Sequence, residues 1–420
     1  MRKSYPQITL FLFLTLSLFT ASLAQTTQPA KRKTLKNFGS SLKRLKWNPE
    51  KKTALESLPR NTAANSDEDD VIRIDTSLVT CELLVLDQHG KNVAGLTAND
   101  FSIAEDNTSQ TVGHFLLGDN INVPRTIVLI IDYSGSQLPY LENSVAAAKV
   151  LVDKLGPKDL MAIVTDDVEL IQDFTTDKKK LKKKLDSLQE QSAPPREFPL
   201  IQPKLGRSKQ YSALMATLNE AFEQTDVRPI IIFQTDGDEA PFLRNAVVSF
   251  VAQSSEDAAK QDEILRKILK SMHTEFSLDD LYRTVERSRA TVYTVIPGIK
   301  LLGLTPEEQL KKYLADGDSM FGYSTNLPKA QRQVALQAKM QSALSGVAPL
   351  TGGWTEFLEK PEQAEGIYAR IFSDINQRYI VGYYPTNKER DGKRRKIDFA
   401  VKGHPEYQIY GRRSYFAPSN

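Results

Sequence analysis

Two short polar segments contain the side chains that could bind a metal ion. In the first, Asp132, Ser134 and Ser136 occupy alternate positions after the aliphatic run TIVLII, and alternate residues of an extended chain share one side. In the second, Asp236 follows the aliphatic run PIIIFQT. Carboxylate and hydroxyl oxygens suit hard divalent cations such as Mg²⁺ or Mn²⁺, whereas zinc favours nitrogen and sulfur. The two segments therefore predict an oxygen-lined site for Mg²⁺ or Mn²⁺, provided that the fold brings them together.

The charge balance of such a site predicts how it would act. Two aspartates neutralise a divalent cation, hydroxyls fill further positions, and the ion can still accept one anionic oxygen. A carboxylate on a partner protein could complete the shell, and no nucleophile accompanies these residues. We therefore expect a site that binds a protein. Asp238 and Glu239 follow in the same loop as Asp236, and we expect both to be solvated loop residues.

Other functions remain open at this point. The acidic cluster of Asp236, Asp238 and Glu239 would also suit a metal-dependent hydrolase in which the cation acts as a Lewis acid. A further alternative is that the segment at Asp132 is only a strand-to-helix turn with a serine cap. The protein could also be an envelope-associated scaffold with an empty metal site, which the basic leader holds near the membrane. Signals of other enzymes are missing: the four histidines are scattered, and no glycine-rich phosphate loop or Gly-x-Ser-x-Gly motif occurs. The aromatic run YIVGYY (379–384) is typical of a strand, so we expect no nucleic-acid partner.

The elements between residues 122 and 377 predict a sheet that could bring the two segments together. Apolar strands alternate there with amphipathic helices such as LENSVAAAKVLVDKL, which indicates a mostly parallel sheet covered on both faces. Right-handed crossovers would make this a doubly wound, Rossmann-like α/β domain. Ligands of such domains bind beyond the carboxyl ends of the strands, where the strand order reverses. We therefore predict that the strands ending at Asp132 and Asp236 are neighbours at this reversal.

Further segments interrupt or flank the α/β domain. Two helical stretches, at about residues 241–275 and 305–345, do not fit the alternation and are predicted to be insertions. Residues 71–121 and 378–420 are rich in β-branched residues and in turn signals such as DQHGK. We predict that these two flanking segments together form one small β-sandwich.

The first 70 residues precede the predicted domains. Residues 1–24 have the basic start, apolar run and small residues of a cleaved secretory signal peptide, so we expect export to the periplasm or the cell exterior. Residues 25–70 are polar and are predicted to form a disordered leader with a basic and an acidic half. Apolar residues between 35 and 45 recur at helical spacing, so a basic helix in weak contact with a membrane surface through residues 31–52 is the alternative. The formal net charge of +3 says little about partners.

The polar segments also resemble a known family. DYSGS after a buried strand and TDG at the end of a later strand resemble the metal-ion-dependent adhesion site of von Willebrand factor type A domains. That site consists of Asp-x-Ser-x-Ser, a threonine in a loop and a distal aspartate. The resemblance implies that the metal ligands are Asp132, Ser134, Ser136 and Asp236. The segment GRSKQYSAL (206–214) is similar to the Gly-x-Thr-x-x-Tyr-x-Ala-Leu loop of exported bacterial members and puts Ser208 at the threonine position. Tyr133 and Gln137 stand where small or apolar residues are commoner.

The resemblance extends to the flanking segments. DQHGKNVAGLTANDFSIAEDN and RYIVGYYPTN are similar to the β segments around the type A domain of exported bacterial VWFA-related proteins. The resemblance spans about residues 71–420, apart from the two insertions. It implies an exported, non-enzymatic protein-binding module that holds Mg²⁺ or Mn²⁺ at the sheet edge and binds an acidic group of its partner.

Overall fold

The computed structural model describes the residue ranges 34–55, 78–120, 122–192, 208–223, 226–244, 274–315 and 327–419. The predicted signal peptide lies outside these ranges, and so does most of the predicted insertion at 241–275. Within them, no helix is both long enough and apolar enough to cross a membrane.

The elements alternate between strands and helices in the middle of the chain and consist of strands towards both ends. The strands are β1 (Val79–Leu86), β2 (Phe101–Glu105), β3 (Thr108–Gln110), β4 (Val112–Leu117), β5 (Arg125–Ile131), β6 (Leu160–Thr165), β7 (Leu170–Thr175), β8 (Arg228–Gln234), β9 (Thr291–Pro297), β10 (Thr355–Leu358), β11 (Tyr379–Tyr383), β12 (Arg394–Val401), β13 (Gln408–Tyr410) and β14 (Ser414–Phe416). The α-helices are α1 (Leu138–Lys154), α2 (Lys178–Ser192), α3 (Gln210–Glu220), α4 (Leu278–Arg287), α5 (Pro306–Ala315), α6 (Leu327–Ser345) and α7 (Ala364–Gln377).

The central sheet has the strand order β10-β9-β8-β5-β6-β7. Its neighbouring strands are parallel except for β6 and β7. Every residue of β5, β8 and β9 is buried, because these strands are apolar on both faces and need a helical layer on each side. Helices α1, α2 and α7 pack on one face, and α3, α4 and α6 pack on the other. The predicted doubly wound α/β fold is confirmed.

The strand order reverses between β5 and β8. From β5 the chain continues to β6 and β7 on one side, and β8, β9 and β10 then extend the sheet on the other side. Strands β5 and β8 pair in parallel, with Ile131 opposite Gln234 at their carboxyl ends. The two segments singled out in the sequence therefore follow neighbouring strands at the reversal.

The flanking segments form a β-sandwich of two four-stranded sheets, β13-β1-β11-β4 and β14-β12-β2-β3. In the first sheet, β11 from the C-terminal segment lies between β1 and β4 from the N-terminal segment. In the second, β12 pairs with β2. Inward-facing side chains of both sheets, such as Leu83, Ile103 and Val381, share one core. The predicted joint β-sandwich is confirmed.

A buried arginine connects the β-sandwich to the α/β domain. Arg228, at the start of β8, is fully buried, and its Nε donates to Oε1 of Glu82 in β1 at 3.0 Å. Its two terminal nitrogens donate to the carbonyl oxygens of Gly118 and Ile375 at 2.6 Å each. The sandwich is thus attached at the amino end of the central strands, opposite the edge where Asp132 lies.

Residues 34–55 pack against the α/β domain, so the predicted disorder of the leader is wrong for this part of it. A short 3₁₀ helix spans Ser40–Arg44, and Leu45 is 4% exposed within the core that contains α3 and α4. The backbone N–H groups of Gly39 and Ser41 donate to the Glu220 carboxylate. The apolar side chains between 35 and 45 therefore contact protein, and in this structure they do not form an open face for a membrane. The distal carboxylate that holds this segment could not be anticipated from its own composition.

The region of the second predicted insertion contributes α5 and α6 on either side of residues 316–326, which are not described. Tyr313 of α5 packs with Ala330 and Val334 of α6 around Leu301. Leu344, near the C-terminal end of α6, packs in the core that also contains α3 and α4. Strand β10 and helix α7 were not singled out in the sequence, although the domain range of 122–377 includes them.

Candidate metal site

The aspartate after β5 continues the pairing of the two central strands. The amide N–H of Asp132 donates to the carbonyl oxygen of Gln234 at 3.1 Å. The chain then turns through a short 3₁₀ segment, Gly135–Gln137, into α1. Beyond β8, Gly237 follows Asp236 with φ of 75°. A Cβ atom there would lie 2.9 Å from Leu344 Cδ1, so glycine is required both by the backbone and by the space available.

The side-chain oxygens of the four residues predicted from the two segments lie next to one another. The Ser134 hydroxyl donates to Asp132 Oδ1 at 2.6 Å, and the two serine hydroxyl oxygens are 3.3 Å apart. The Ser136 hydroxyl donates to Asp236 Oδ2 at 2.6 Å. Asp132 and Ser134 are buried, whereas Ser136 and Asp236 are partly exposed. The structure therefore brings these oxygens together at a sheet edge that solvent can reach.

Ser208 lies further out in the same region. Its hydroxyl is close enough to Asp238 to lower the pKa of that carboxyl, and its backbone N–H donates to Asp166 Oδ2 at 2.8 Å. Its φ of 55° is in the left-handed region, which is uncommon for residues other than glycine and marks a constrained loop. The backbone of the predicted fifth ligand is thus held by Asp166, beside the acidic cluster.

Asp166, which the sequence reading did not single out, joins two of the loops. It follows β6, and its carboxylate accepts hydrogen bonds from the backbone N–H groups of Tyr133 and Ser208. Burial, followed by the negative charge of Asp132, raises the pKa of Asp166 to about 9. The sequence did contain a signal for Asp166. It directly follows β6, the strand next to β5, just as Asp132 directly follows β5.

The expectation that Asp238 and Glu239 are solvated is wrong for Glu239. This side chain is 2% exposed, and it accepts hydrogen bonds from Ser212 N at 3.0 Å and from Ser212 Oγ at 2.6 Å. Burial raises the pKa of Glu239 to about 7. Asp238 is half-buried, and burial together with the charge of Asp132 raises its pKa to about 7. The loop therefore turns its acidic side chains towards the site.

The electrostatics of the cluster are those of carboxyl groups crowded together. The pKa of Asp236 is well above its ordinary value, first because of burial and then because of the negative charges of Asp238 and Asp132. The Ser136 hydroxyl partly opposes this rise by donating to the Asp236 carboxylate. A divalent cation would relieve the repulsion, because its charge is the largest in such a site and favours the ionised acids.

Two glutamine amides also contact the site carboxylates, and sequence reasoning missed this role for both. Gln210 Nε2 donates to Asp132 Oδ2 at 2.9 Å and also to Asp238 Oδ1. Gln137 Nε2 donates to Asp236 Oδ2 at 2.8 Å. The only sequence signal was that Gln137 departs from the small or apolar residues expected there.

The ligands available for a metal are carboxylate, hydroxyl and amide oxygens. Within the described ranges, no group of three or more His, Cys, Asp or Glu side chains has an arrangement that could hold a metal ion. Any cation here would therefore depend on the serine hydroxyls as well as on Asp132 and Asp236. This mixed oxygen set fits Mg²⁺ or Mn²⁺, which take few carboxylates and several neutral oxygens.

No protein-family model and no curated protein matches the sequence. Among solved structures, the chain is similar to BatB of Bacteroides thetaiotaomicron, with 17% identity, coverage of 60% of this chain and 98% of that one, and a TM-score of 0.30. It is also similar to the vWF domain of the type V pili tip protein Mfa5 of Porphyromonas gingivalis, with 14% identity, coverage of 60% and 95%, and a TM-score of 0.32. The manganese-loaded TRAP protein of Plasmodium vivax gives 11% identity, coverage of 75% and 98%, and a TM-score of 0.28.

The fold itself follows from the topology of this chain. Its central sheet reverses between β5 and β8, and the Asp-x-Ser-x-Ser segment and the distal aspartate follow these two strands in the order expected from the sequence. The α/β domain therefore has the doubly wound fold and the order of polar segments that the resemblance to von Willebrand factor type A domains implies.

Proposed function

We propose that this protein is a non-enzymatic protein-binding module that binds an acidic group of its partner through Mg²⁺ or Mn²⁺ at the sheet edge. The observation that carries the proposal is the close approach of the side-chain oxygens of Asp132, Ser134, Ser136 and Asp236, each of which lies within 3.3 Å of the next. These side chains come from two loops that are about a hundred residues apart in sequence, and they meet where α/β sheets bind ligands.

The residues proposed to hold the cation are Asp132, Ser134, Ser136 and Asp236, with Ser208 contributing from the outer loop. When bound, the cation supplies a positive charge that can accept one more anionic oxygen. The chain itself orients the ligands: Thr235 Oγ1 donates to Asp132 Oδ2 at 2.8 Å, and the backbone N–H of Ser134 donates to Asp132 Oδ1 at 2.9 Å. These bonds fix the orientation of the carboxylate.

The proposed partner is a protein that presents an Asp or Glu side chain. The two site aspartates and the cation together are close to neutral, so an added carboxylate is attracted by an ion whose shell is incomplete. The proposal also includes export, which is supported by the sequence pattern of residues 1–24.

The test is calorimetric titration of the full chain with MgCl₂ and with MnCl₂, followed by retention on beads that carry a polyaspartate peptide. We expect saturable uptake of one cation, and retention that EDTA abolishes. The variant Asp132→Ala should lose both, whereas Asp398→Ala, a change at an aspartate on the surface of the sandwich, should keep both. No heat of binding at millimolar Mg²⁺ or Mn²⁺ would refute the proposal.

A scaffold whose metal site stays empty is a second candidate, and one observation favours it. Gln210 and Gln137 donate to the site carboxylates, so the acids have partners even without a cation. The same titration separates the two candidates, because the scaffold takes up no cation. No observation on the described residues favours the hydrolase alternative.

A further inference from the structure

The two glutamines at the site have amide oxygens with no hydrogen-bond partner. Gln137 and Gln210 are 2% and 0% exposed. The Nε2 atom of each donates to a site carboxylate, but the Oε1 atom of each is buried without a partner. Burying an amide oxygen without a donor costs free energy. Both orphaned atoms are acceptors, so only a donor or a cation can satisfy them.

Buried glutamines elsewhere in the described chain pair both ends of the amide. Gln341 Oε1 accepts from Leu301 N at 2.9 Å, and Gln341 Nε2 donates to the carbonyl oxygen of Ile299 at 2.7 Å. Gln110 and Gln234 likewise use both amide atoms. Among the buried glutamines of the described ranges, Gln137 and Gln210 are therefore the exceptions, and both lie on the acidic cluster.

We propose that Gln137 and Gln210 are additional ligands of the cation, an inference that rests on the proposed function. In the metal-free protein, the amide nitrogens hold the carboxylates: Gln210 bridges Asp132 and Asp238, and Gln137 holds Asp236. In the metal-bound protein, the amide oxygens of both glutamines coordinate the cation instead. The oxygen and nitrogen of an amide exchange places by a half-turn about the last side-chain bond, so the backbone need not move.

Amide ligands suit the charge balance of this site. A further carboxylate would add repulsion to a cluster in which the pKa values of Asp236 and Asp238 are already raised. An amide adds an oxygen but no charge, and the cation keeps its attraction for a partner's carboxylate. This role also gives a reason for glutamine at position 137.

The first test compares leucine substitutions by calorimetric titration of the full chain with MgCl₂ and MnCl₂. Leucine fills a similar volume to glutamine without an amide. Gln210→Leu and Gln137→Leu should each weaken cation binding by about 10- to 100-fold, the range seen when groups around metal ligands are removed. The matched control Gln341→Leu also removes a buried amide. It should lower the unfolding midpoint and leave the affinity for the cation unchanged.

The second test detects directly whether the glutamine side-chain amides coordinate the metal. Protein that contains glutamine labelled with ¹³C at the side-chain amide is loaded with Mn²⁺ and studied by electron–nuclear double resonance. We expect a ¹³C coupling to Mn²⁺ that persists in Gln341→Leu and disappears in the double variant Gln137→Leu/Gln210→Leu.

The outcomes distinguish this inference from the proposed function. Unchanged or tighter cation binding by both site variants, or bound Mn²⁺ without a ¹³C coupling, would overturn the inference alone, and tighter binding would mean that the amides only block the site. The absence of cation uptake by the unmodified protein would overturn the inference and the proposed function together.

Discussion

The buried Glu239 should make the stability of the metal-free protein depend on pH. Its pKa is raised by burial from 4.5 to about 7, so between these values the folded state binds a proton that the unfolded state has released. The free energy of unfolding must then fall as the pH rises through this window, by about 1.4 kcal/mol per pH unit. The full effect is about 3 kcal/mol. It is present below pH 4.5 and lost above pH 7.

The substitution Glu239→Gln isolates this contribution. The amide can keep both contacts with Ser212, because its oxygen can accept from the backbone N–H while its nitrogen donates to the hydroxyl oxygen. The slope between pH 5 and 7 should therefore flatten by about 1.4 kcal/mol per unit. Urea unfolding in EDTA at four pH values measures this slope, with the exposed Glu389→Gln as the control that should follow the unmodified protein. Parallel curves for Glu239→Gln and the unmodified protein would refute the burial argument.

Three further substitutions test the packing of the domains and of the leader. Arg228→Met leaves Glu82 buried without its partner, so we expect a loss of about 3–5 kcal/mol in urea unfolding; a loss below about 1 kcal/mol would contradict the buried junction. Leu45→Ala should cost about 2–4 kcal/mol if the leader is packed as described, and the cation affinity measured by calorimetry should stay the same. Gly353→Ala should prevent folding, seen as loss of soluble protein, because a Cβ there would lie 1.8 Å from the carbonyl oxygen of Val292.

The parts of the fold that the sequence predicted correctly are those set by local patterns. The strand before Asp132 and the strand before Asp236 are apolar on both faces, and such strands must lie in the middle of a covered sheet. Their shared position at strand ends then predicts that the two aspartates meet at one edge. The meeting of Asp132, Ser134, Ser136 and Asp236 needed no further information, because alternation and topology determine it.

The parts that were missed depend on partners far away in the sequence. Composition made the leader look disordered, because nothing in it indicates that Glu220 would hold its backbone N–H groups. Glu239 looked solvated for a similar reason, since its burial depends on Ser212 at the start of another helix. Gln210 is an ordinary helix-forming residue by type, and only the fold places its amide between two carboxylates.

The edge proposed to bind the cation and the β-sandwich lie at opposite ends of the central strands, so the proposed binding site is far from the domain junction. Strand β5 runs seven residues from Arg125 to Ile131, so at about 3.3 Å per residue it puts roughly 23 Å between the two ends. Arg228 and Glu82 join the domains at the far end, and the sandwich does not obstruct the edge where Asp132 lies. Under the proposed function, a partner would therefore approach this edge without disturbing the domain junction. Substitutions at the junction should change the stability of the chain, whereas substitutions at Asp132 or Asp236 should change its cation affinity.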